Sequence, residues 1–227
     1  MKFKMAEIFC GPGGLALGAI KASKLIKKAE IIPIWANDID KSTCDTYASN
    51  IHNGDNSKVY CCSVQDLDFN ALPDFDGLSF GFPCNDFSQV GLKKGTNGKY
   101  GPLYRYGIKA IEAKNPSWFV AENVTGIKSA NNGQAFQDIL KELSESGTYG
   151  YTINVHLYKF EEYGVPQKRH RYIIVGIRKD LNITFRVPKP ITKDPKFYKT
   201  AKHAKKIKSE QKQLDKVNRR LKEVESS

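Results

Sequence analysis

Short apolar runs alternate with stretches of helical periodicity along most of the chain, and this alternation limits the fold more than any other feature. Such a pattern is typical of a parallel sheet whose strands are joined by crossover helices. The predicted strands are Met5–Cys10, Ile31–Ala36, Lys58–Cys61, Leu78–Gly81, Trp118–Ala121, Thr152–Tyr158 and Arg171–Ile177. The predicted helices are Leu15–Lys24, Lys41–Ile51, Leu103–Ala113 and Gly133–Glu145. We therefore expect an open α/β fold with a doubly wound, mostly parallel sheet, which binds ligands at the carboxyl ends of its strands.

A glycine-rich turn, GPGGLALG, follows the first predicted strand and opens a helix. Gly11, Gly13 and Ala16 fit the GxGxxG/A pattern, in which the backbone approaches a ligand closely and a helix start offers free N–H groups. The second strand ends in WAND, which places Asp38 where a carboxylate can accept hydrogen bonds from ribose hydroxyls. The two features favour an adenosine-containing cofactor without separating NAD from S-adenosylmethionine. A plain tight turn, with Asp38 capping the helix that begins near Lys41, would give the same pattern.

A lone cysteine, Cys84, follows the fourth predicted strand in the segment FGFPCNDFSQVG. Pro83 restricts the backbone there, so the chain leaves the sheet along a defined path. A free thiol has a pKa of about 8.5 and is a weak nucleophile unless its surroundings favour the thiolate. Taken alone, Cys84 therefore fits a structural thiol as well as a reactive one.

Polar side chains at two further strand ends are expected at the same edge of the sheet. The strand in WFVAENV finishes with Glu122 and Asn123. The segment QKRHR places Gln167, Arg169 and Arg171 at alternate positions, so that all three would face one way. Donors in this arrangement suit an anionic or carbonyl-rich ligand, although either segment could be an ordinary solvated strand end.

In chain order, FCGPGG, GFPCNDFS, ENV and QKRHR resemble motifs I, IV, VI and VIII of the DNA cytosine-C5 methyltransferases. WANDID is similar to motif II, and GPLYRYGIKAI is similar to motif V. The resemblance runs from about Met5 to Ile177 and implies the Rossmann-like fold of S-adenosylmethionine-dependent methyltransferases. It also implies methyl transfer to C5 of cytosine in duplex DNA.

The resemblance assigns a role to each catalytic candidate. Cys84 would attack C6 of a cytosine flipped out of the duplex, which is covalent catalysis. Glu122 would bind the N3/N4 edge and support protonation at N3. Arg171 would hold O2, and Arg169 would assist it.

The resemblance further implies the residues that contact the two ligands. The expected cofactor contacts are Phe9, Gly11, Gly13, Gly14, Asp38, Ile39, Ser63, Val64 and Leu103. The expected substrate contacts are Pro83, Ser88, Asn123 and Gln167. Motif III normally supplies an aspartate where this chain has Ser63, so adenine recognition is expected to be weaker or to shift to Asp66. Asn85 replaces the usual glutamine after the cysteine and should tune contacts to DNA or to the loop. No metal site is expected, because the five cysteines lack the paired spacing of a zinc site.

The net charge of +12 favours an anionic partner such as nucleic acid. Residues 188–227 carry 13 Lys and Arg against 5 Asp and Glu, so this tail holds +8 of the excess. We expect residues 1–187 to form the S-adenosylmethionine-binding catalytic domain. Residues 188–227 are expected to form a basic linker and a C-terminal helix that contacts a partner or DNA, or that is a solvated basic face.

No candidate for the target-recognition domain, motif IX or motif X follows motif VIII. We therefore expect a split enzyme, in which a second polypeptide supplies these parts. The alternatives are a non-catalytic nucleic-acid-binding or regulatory relative and an RNA cytosine-C5 methyltransferase, although GFPCNDFS is more similar to the DNA branch. No apolar run approaches the roughly 20 residues that span a bilayer, so an intracellular protein is expected. The resemblance further implies a cytoplasmic enzyme of a bacterial or phage restriction-modification system.

Overall fold

The computed structural model describes residues 1–26, 28–82, 103–124 and 134–191, and the seven strands and four helices predicted before residue 188 are present there with their ends moved by a few residues. The strands are β1 Lys2–Ile8, β2 Glu30–Asp38, β3 Val59–Cys61, β4 Gly77–Gly81, β5 Trp118–Val124, β6 Tyr151–Lys159 and β7 His170–Arg178. The helices are α1 Gly14–Ile26, α2 Lys41–His52, α3 Tyr104–Lys114 and α4 Gln134–Glu145.

The strands form one sheet in the order β3-β2-β1-β4-β5-β7-β6. The pairs β1–β2, β1–β4, β2–β3 and β4–β5 are all parallel. The chain first moves outward from β1 to β2 and β3, and then returns to place β4 on the other side of β1. The carboxyl ends of β1 and β4 therefore flank the point where the winding reverses, which is where doubly wound sheets bind ligands. The predicted fold class is confirmed.

The register between β1 and β2 shifts once, between Met5 and Ala6, where Met5 lies opposite Pro33 and Ala6 lies opposite Trp35. Proline has no N–H to donate to a ladder, so an irregularity at this position is expected. Beyond the shift Ile8 pairs with Asn37, so that β1 and β2 end side by side.

The larger apolar core lies around β4, β5, α3 and α4, with Phe80 and Phe119 fully buried. Helix α3 packs closely on β4, because a Cβ at Gly107 would lie 2.6 Å from the Phe80 ring. Only glycine permits this approach. The contact fixes the helix that begins directly after Leu103.

The described residues form two compact units. The first comprises Met1–His156 and Tyr172–Arg186, and the second comprises Leu157–Arg171 with the described residues from Val187 onward. Residues 192–227, which include the predicted basic helix, lie outside the described residues, so the division at residue 187 stays a prediction. Within the described part of the chain, no helix is long and apolar enough to cross a membrane.

Candidate functional site

The glycine turn after β1 contains three residues with a positive φ, at alternate positions. Phe9 has a φ of 54°, Gly11 has 54° and Gly13 has 92°, all in the left-handed region. Strand β1 ends at Ile8, and not at Cys10 as predicted, because Phe9 already turns the chain. A left-handed backbone is costly for an aromatic residue and is found where a functional turn requires it.

The glycines of this turn have two different roles. A Cβ at Gly13 would lie 2.9 Å from Ile51 Cγ1 and 3.2 Å from Tyr47 Cδ2, so this glycine lets the turn pack on α2. At Gly11 and Gly14, in contrast, an added Cβ would meet no atom of another described residue within 4 Å. Their backbone therefore faces open space at the amino end of α1, a position where helix N–H groups attract anionic ligand groups.

Asp38, at the end of β2, holds the turn in place. Its Oδ2 accepts a hydrogen bond from the Gly11 N–H at 2.9 Å, and its Oδ1 accepts one from the Asp40 N–H at 3.2 Å. Each carboxylate oxygen can accept a second bond, so both remain able to bind a ribose hydroxyl.

The cap of α2 is Asp40, whose Oδ1 accepts hydrogen bonds from the Thr43 N–H and the Ser42 hydroxyl, both at 2.7 Å. These bonds lower the pKa of Asp40 to about 2. The alternative that Asp38 caps this helix is therefore wrong, and Asp38 is available for the glycine turn and a ligand.

The residues predicted to contact adenosine differ in their exposure. Ile39 is 73% exposed, so it presents apolar surface beside the carboxylate. Ser63 caps the short 3-10 turn Val64–Asp66 through a hydrogen bond from the Gln65 N–H at 3.3 Å, and Val64 is buried. The predicted fallback residue Asp66 is exposed, and Leu103 is half-buried ahead of α3.

The ends of β4 and β5 lie in register, with Gly81 opposite Glu122. A Cβ at Gly81 would lie 3.5 Å from Glu122 Oε2, so the carboxylate extends alongside β4. The buried Asn123 side chain donates a hydrogen bond to the Phe82 carbonyl at 3.0 Å. This bond fixes the chain just before Pro83, Cys84 and Ser88, which lie outside the described residues.

Gln167, Arg169 and Arg171 belong to the second unit and are described within it. Strand β7 begins at His170, so Gln167 and Arg169 lie in the preceding loop, where both are exposed. The Arg169 carbonyl accepts a hydrogen bond from the Phe160 N–H at 2.9 Å. Arg171 is half-buried, and its Nη1 donates to the His170 carbonyl at 2.8 Å.

The sequence analysis did not identify Glu7, a carboxyl group buried in β1 beneath the glycine turn. Its side chain is 2% exposed and its Oε2 accepts a hydrogen bond from the Tyr47 hydroxyl at 3.1 Å. Burial raises the pKa of Glu7 to about 8, so the group holds its proton near neutral pH. Its only signal in the sequence is one charged residue inside the run MAEIF.

Asn37 was not identified either, and it fixes the chain next to Ser63. The buried amide donates hydrogen bonds to the carbonyls of Tyr60 at 2.7 Å and Cys62 at 2.9 Å. Among the residues that the structure describes, no group of three His, Cys, Asp or Glu side chains is arranged to hold a metal ion.

Comparisons with known proteins agree with this geometry. Residues 3–227 match the family described as C-5 cytosine-specific DNA methylase. The chain is 51% identical over 212 residues to the type II methyltransferase M.BbvI of Brevibacillus brevis, covering 90% of this chain and 56% of the relative. It is 37% identical over 191 residues to M.NgoFVII of Neisseria gonorrhoeae, covering 83% of this chain and 47% of the relative. The chain thus spans about half the length of the curated relatives it matches.

A solved structure supports the fold alone. The Entamoeba histolytica methyltransferase EhMeth superposes with a TM-score of 0.61 at 17% identity, covering 83% of this chain and 57% of that one. Members of the matched family use S-adenosyl-L-methionine as their methyl donor.

Proposed function

Because the chain belongs to the C-5 cytosine-specific DNA methylase family, we propose that it carries the cofactor-binding and catalytic parts of an enzyme that methylates C5 of cytosine in duplex DNA. One observation carries this proposal. The open glycine turn follows β1, and the Asp38 and Glu122 carboxylates lie near the carboxyl ends of β2 and β5, so all three are at the same edge of the sheet, on both sides of its winding reversal. The methyl donor and the target cytosine must lie side by side for the methyl group to be transferred, and residues at one edge of the sheet can bind both.

The residues around the glycine turn would hold S-adenosyl-L-methionine. The open backbone at Gly11 and Gly14 would receive its methionine part, Asp38 its ribose and Ile39 its adenine. Phe9, Gly13, Ser63, Val64 and Leu103 complete the proposed contacts. When bound, this cofactor supplies an electrophilic methyl group.

Cytosine needs activation before C5 can react, because C5 of the neutral ring is a weak nucleophile. The Cys84 thiolate adds to C6, and the electrons of the C5–C6 double bond become available at C5. Glu122 supports a proton at N3, and Arg171 holds O2 with help from Arg169, so that charge developing on the ring is stabilised. After C5 is methylated, a base removes the C5 proton, the C5–C6 double bond reforms and the thiolate leaves. The substrate and the segment that carries Cys84 would be held by Pro83, Ser88, Asn123 and Gln167.

We also propose that a second polypeptide supplies target recognition. Helix α1 supports this, because Leu17, Leu25 and Ile26 are 38%, 83% and 60% exposed. Exposed apolar side chains along α1, two of them at its carboxyl end, suit contact with a further protein segment. The basic residues 188–227 would contact that segment or DNA, and the complex would act in the bacterial cytoplasm, where the DNA lies.

Transfer of labelled methyl from S-adenosyl-L-methionine to duplex DNA tests these proposals, with RNA of matched sequence alongside. The chain is assayed alone and with the part of M.BbvI that it does not match, supplied as a separate polypeptide. Cys84→Ser is the control. We expect transfer to DNA that requires both Cys84 and the second polypeptide.

Other outcomes overturn separate parts of the proposal. Transfer by the chain alone would contradict the need for a second polypeptide, and faster transfer to RNA would contradict the substrate. A folded complex that binds the cofactor without transferring methyl would contradict the enzymatic role and favour a binding or regulatory one.

A further inference from the structure

A histidine–carboxylate pair outside the proposed catalytic residues joins the two ends of the segment that carries Arg169. His170 Nε2 lies 2.6 Å from Glu161 Oε1. Their side chains are 29% and 35% exposed, so the contact is largely shielded from water. Glu161 belongs to the 3-10 turn Phe160–Tyr163 that follows β6, and His170 is the first residue of β7.

The protonation of the pair follows from its surroundings. Burial alone would raise the pKa of Glu161, but the hydrogen bond from His170, attraction to His170 and main-chain hydrogen bonds together outweigh it, and the pKa lies below its ordinary value. Glu161 is therefore a carboxylate, which only accepts hydrogen bonds, so Nε2 of His170 carries the proton. Oε2 of Glu161 is buried and accepts no hydrogen bond within the described ranges, so the bond from His170 offsets much of the cost of burying this charge.

Three hydrogen bonds to main-chain carbonyls extend the contact, two beside Glu161 and one beside His170. Next to Glu161, the Phe160 N–H donates to the Arg169 carbonyl at 2.9 Å, and the Phe160 carbonyl accepts from the Val165 N–H at 3.2 Å. Next to His170, the Arg171 Nη1 donates to the His170 carbonyl at 2.8 Å. The direction of the Arg171 guanidinium thus depends on the carbonyl of His170, and the His170 side chain is held by Glu161.

The turn that carries Glu161 is itself anchored within the second unit. The Glu162 carbonyl accepts a hydrogen bond from the Ile191 N–H at 2.9 Å, and the Tyr163 hydroxyl donates to the Pro188 carbonyl at 3.1 Å. These hydrogen bonds fix the position of the turn from which Glu161 contacts His170.

We propose that Glu161 and His170 form a clasp that positions Arg171 for its contact with the target base. The inference rests on the proposed function and deepens it, because it adds two positioning residues that do not touch the substrate. An arginine has four rotatable side-chain bonds, and a displacement of about 1 Å at a reacting group can cost about 100-fold in rate. A clasp at the start of β7 limits such displacement before DNA binds.

The test uses the complex of this chain with its second polypeptide and five variants: Glu161→Ala, His170→Ala, the double variant, His170→Gln and Glu145→Gln. The His170→Gln amide can still donate to Glu161, and Glu145→Gln is a control at an exposed carboxylate of α4. Each is assayed for kcat, for KM towards DNA and for affinity towards S-adenosyl-L-methionine. Hydrogen–deuterium exchange is followed over residues 160–172.

We expect each alanine variant to lower kcat about 10- to 100-fold with cofactor affinity unchanged, and to raise exchange over residues 160–172. The double variant should be no slower than either single one, since both remove the same contact. His170→Gln should recover most of the rate. Losses that multiply in the double variant, no recovery with glutamine, or unchanged exchange would overturn the clasp.

The exchange experiment requires no catalysis and therefore separates the two proposals. If the wild-type complex transfers no methyl, the proposed function fails. Raised exchange in Glu161→Ala and His170→Ala would still support the clasp, and unchanged exchange would overturn it as well.

Discussion

The Asn123 side chain donates a hydrogen bond to the Phe82 carbonyl at 3.0 Å, with both residues buried at the carboxyl ends of neighbouring strands. Asn123 directly follows Glu122, and Phe82 lies two positions before Cys84. The chain that leads to the proposed nucleophile is therefore tied to the strand that presents the proposed acid. Because water does not reach this bond, it holds both groups to the same rigid pair of strands.

Asn123→Asp tests this connection, because aspartate has nearly the same shape as asparagine and lacks the N–H donors. We expect the free energy of unfolding to fall by about 1–3 kcal/mol, since the Phe82 carbonyl would be left unsatisfied in the interior. Methyl transfer should fall at least about tenfold. Urea unfolding and initial rates measure both effects, with Asn70→Asp as an exposed control. A variant as stable and as fast as wild type would show that the bond is dispensable.

Gly14→Ala and Gly13→Ala should distinguish a glycine that leaves room for the ligand from one that lets the turn pack on α2. At Gly14 an added Cβ would meet no other described residue within 4 Å, so we expect alanine there to leave stability unchanged or slightly higher and to weaken S-adenosyl-L-methionine binding. At Gly13, a φ of 92° and the Ile51 contact at 2.9 Å predict a loss of stability as well. Thermal unfolding and calorimetric titration distinguish the two. Normal cofactor affinity in Gly14→Ala would place the ligand elsewhere.

Ile39→Ala should affect the cofactor without affecting the fold. Ile39 is 73% exposed, so its removal should change the free energy of unfolding by less than about 0.5 kcal/mol. If adenine covers it, affinity for S-adenosyl-L-methionine should fall about tenfold through lost apolar burial. Ile183, which is 59% exposed, provides a matched control as Ile183→Ala. Equal affinity in the two variants would contradict the proposed adenine contact.

Glu7 should make stability depend on pH. Its pKa in the folded protein is about 8, above the ordinary 4.5, so the folded state binds the proton more tightly than the unfolded state does. The contribution to stability is therefore complete below the ordinary pKa and is lost as pH rises from 4.5 to about 8.

Glu7→Gln, which resembles the protonated form, should remove this dependence. The difference between wild type and variant should change by at most about 1.4 kcal/mol per pH unit. Urea unfolding at several pH values across that interval measures it. If the free energy of unfolding changed with pH in the same way for both proteins, the raised pKa of Glu7 would be contradicted.

Apolar runs and helical periodicity were sufficient to predict strands β1 to β7 and helices α1 to α4, because each buries apolar side chains in one of two cores. Local conformation was harder to predict. The left-handed backbone at Phe9 could not be predicted, because a residue other than glycine gives no sequence signal for a positive φ. The sequence also did not show whether Asp38 or Asp40 caps α2, because both lie shortly before the helix. The distinction follows from the Gly11 N–H, which binds Asp38 and belongs to the turn after β1, a strand that is distant from Asp38 in sequence and adjacent to β2 in the sheet. Contacts between distant residues, such as Glu161 with His170, are likewise set by tertiary structure.

The most direct measurement is the covalent bond between Cys84 and the target base. In duplex DNA that contains 5-fluorocytosine, C5 has no proton to lose after methylation, so the thiolate cannot leave and an adduct accumulates. Mass spectrometry of the denatured complex should show the chain joined to the methylated oligonucleotide, with the Cys84 peptide carrying the base and no adduct in Cys84→Ser. Methylation of ordinary DNA without an adduct on the fluorinated duplex, or an adduct that persists in Cys84→Ser, would contradict nucleophilic catalysis by this residue.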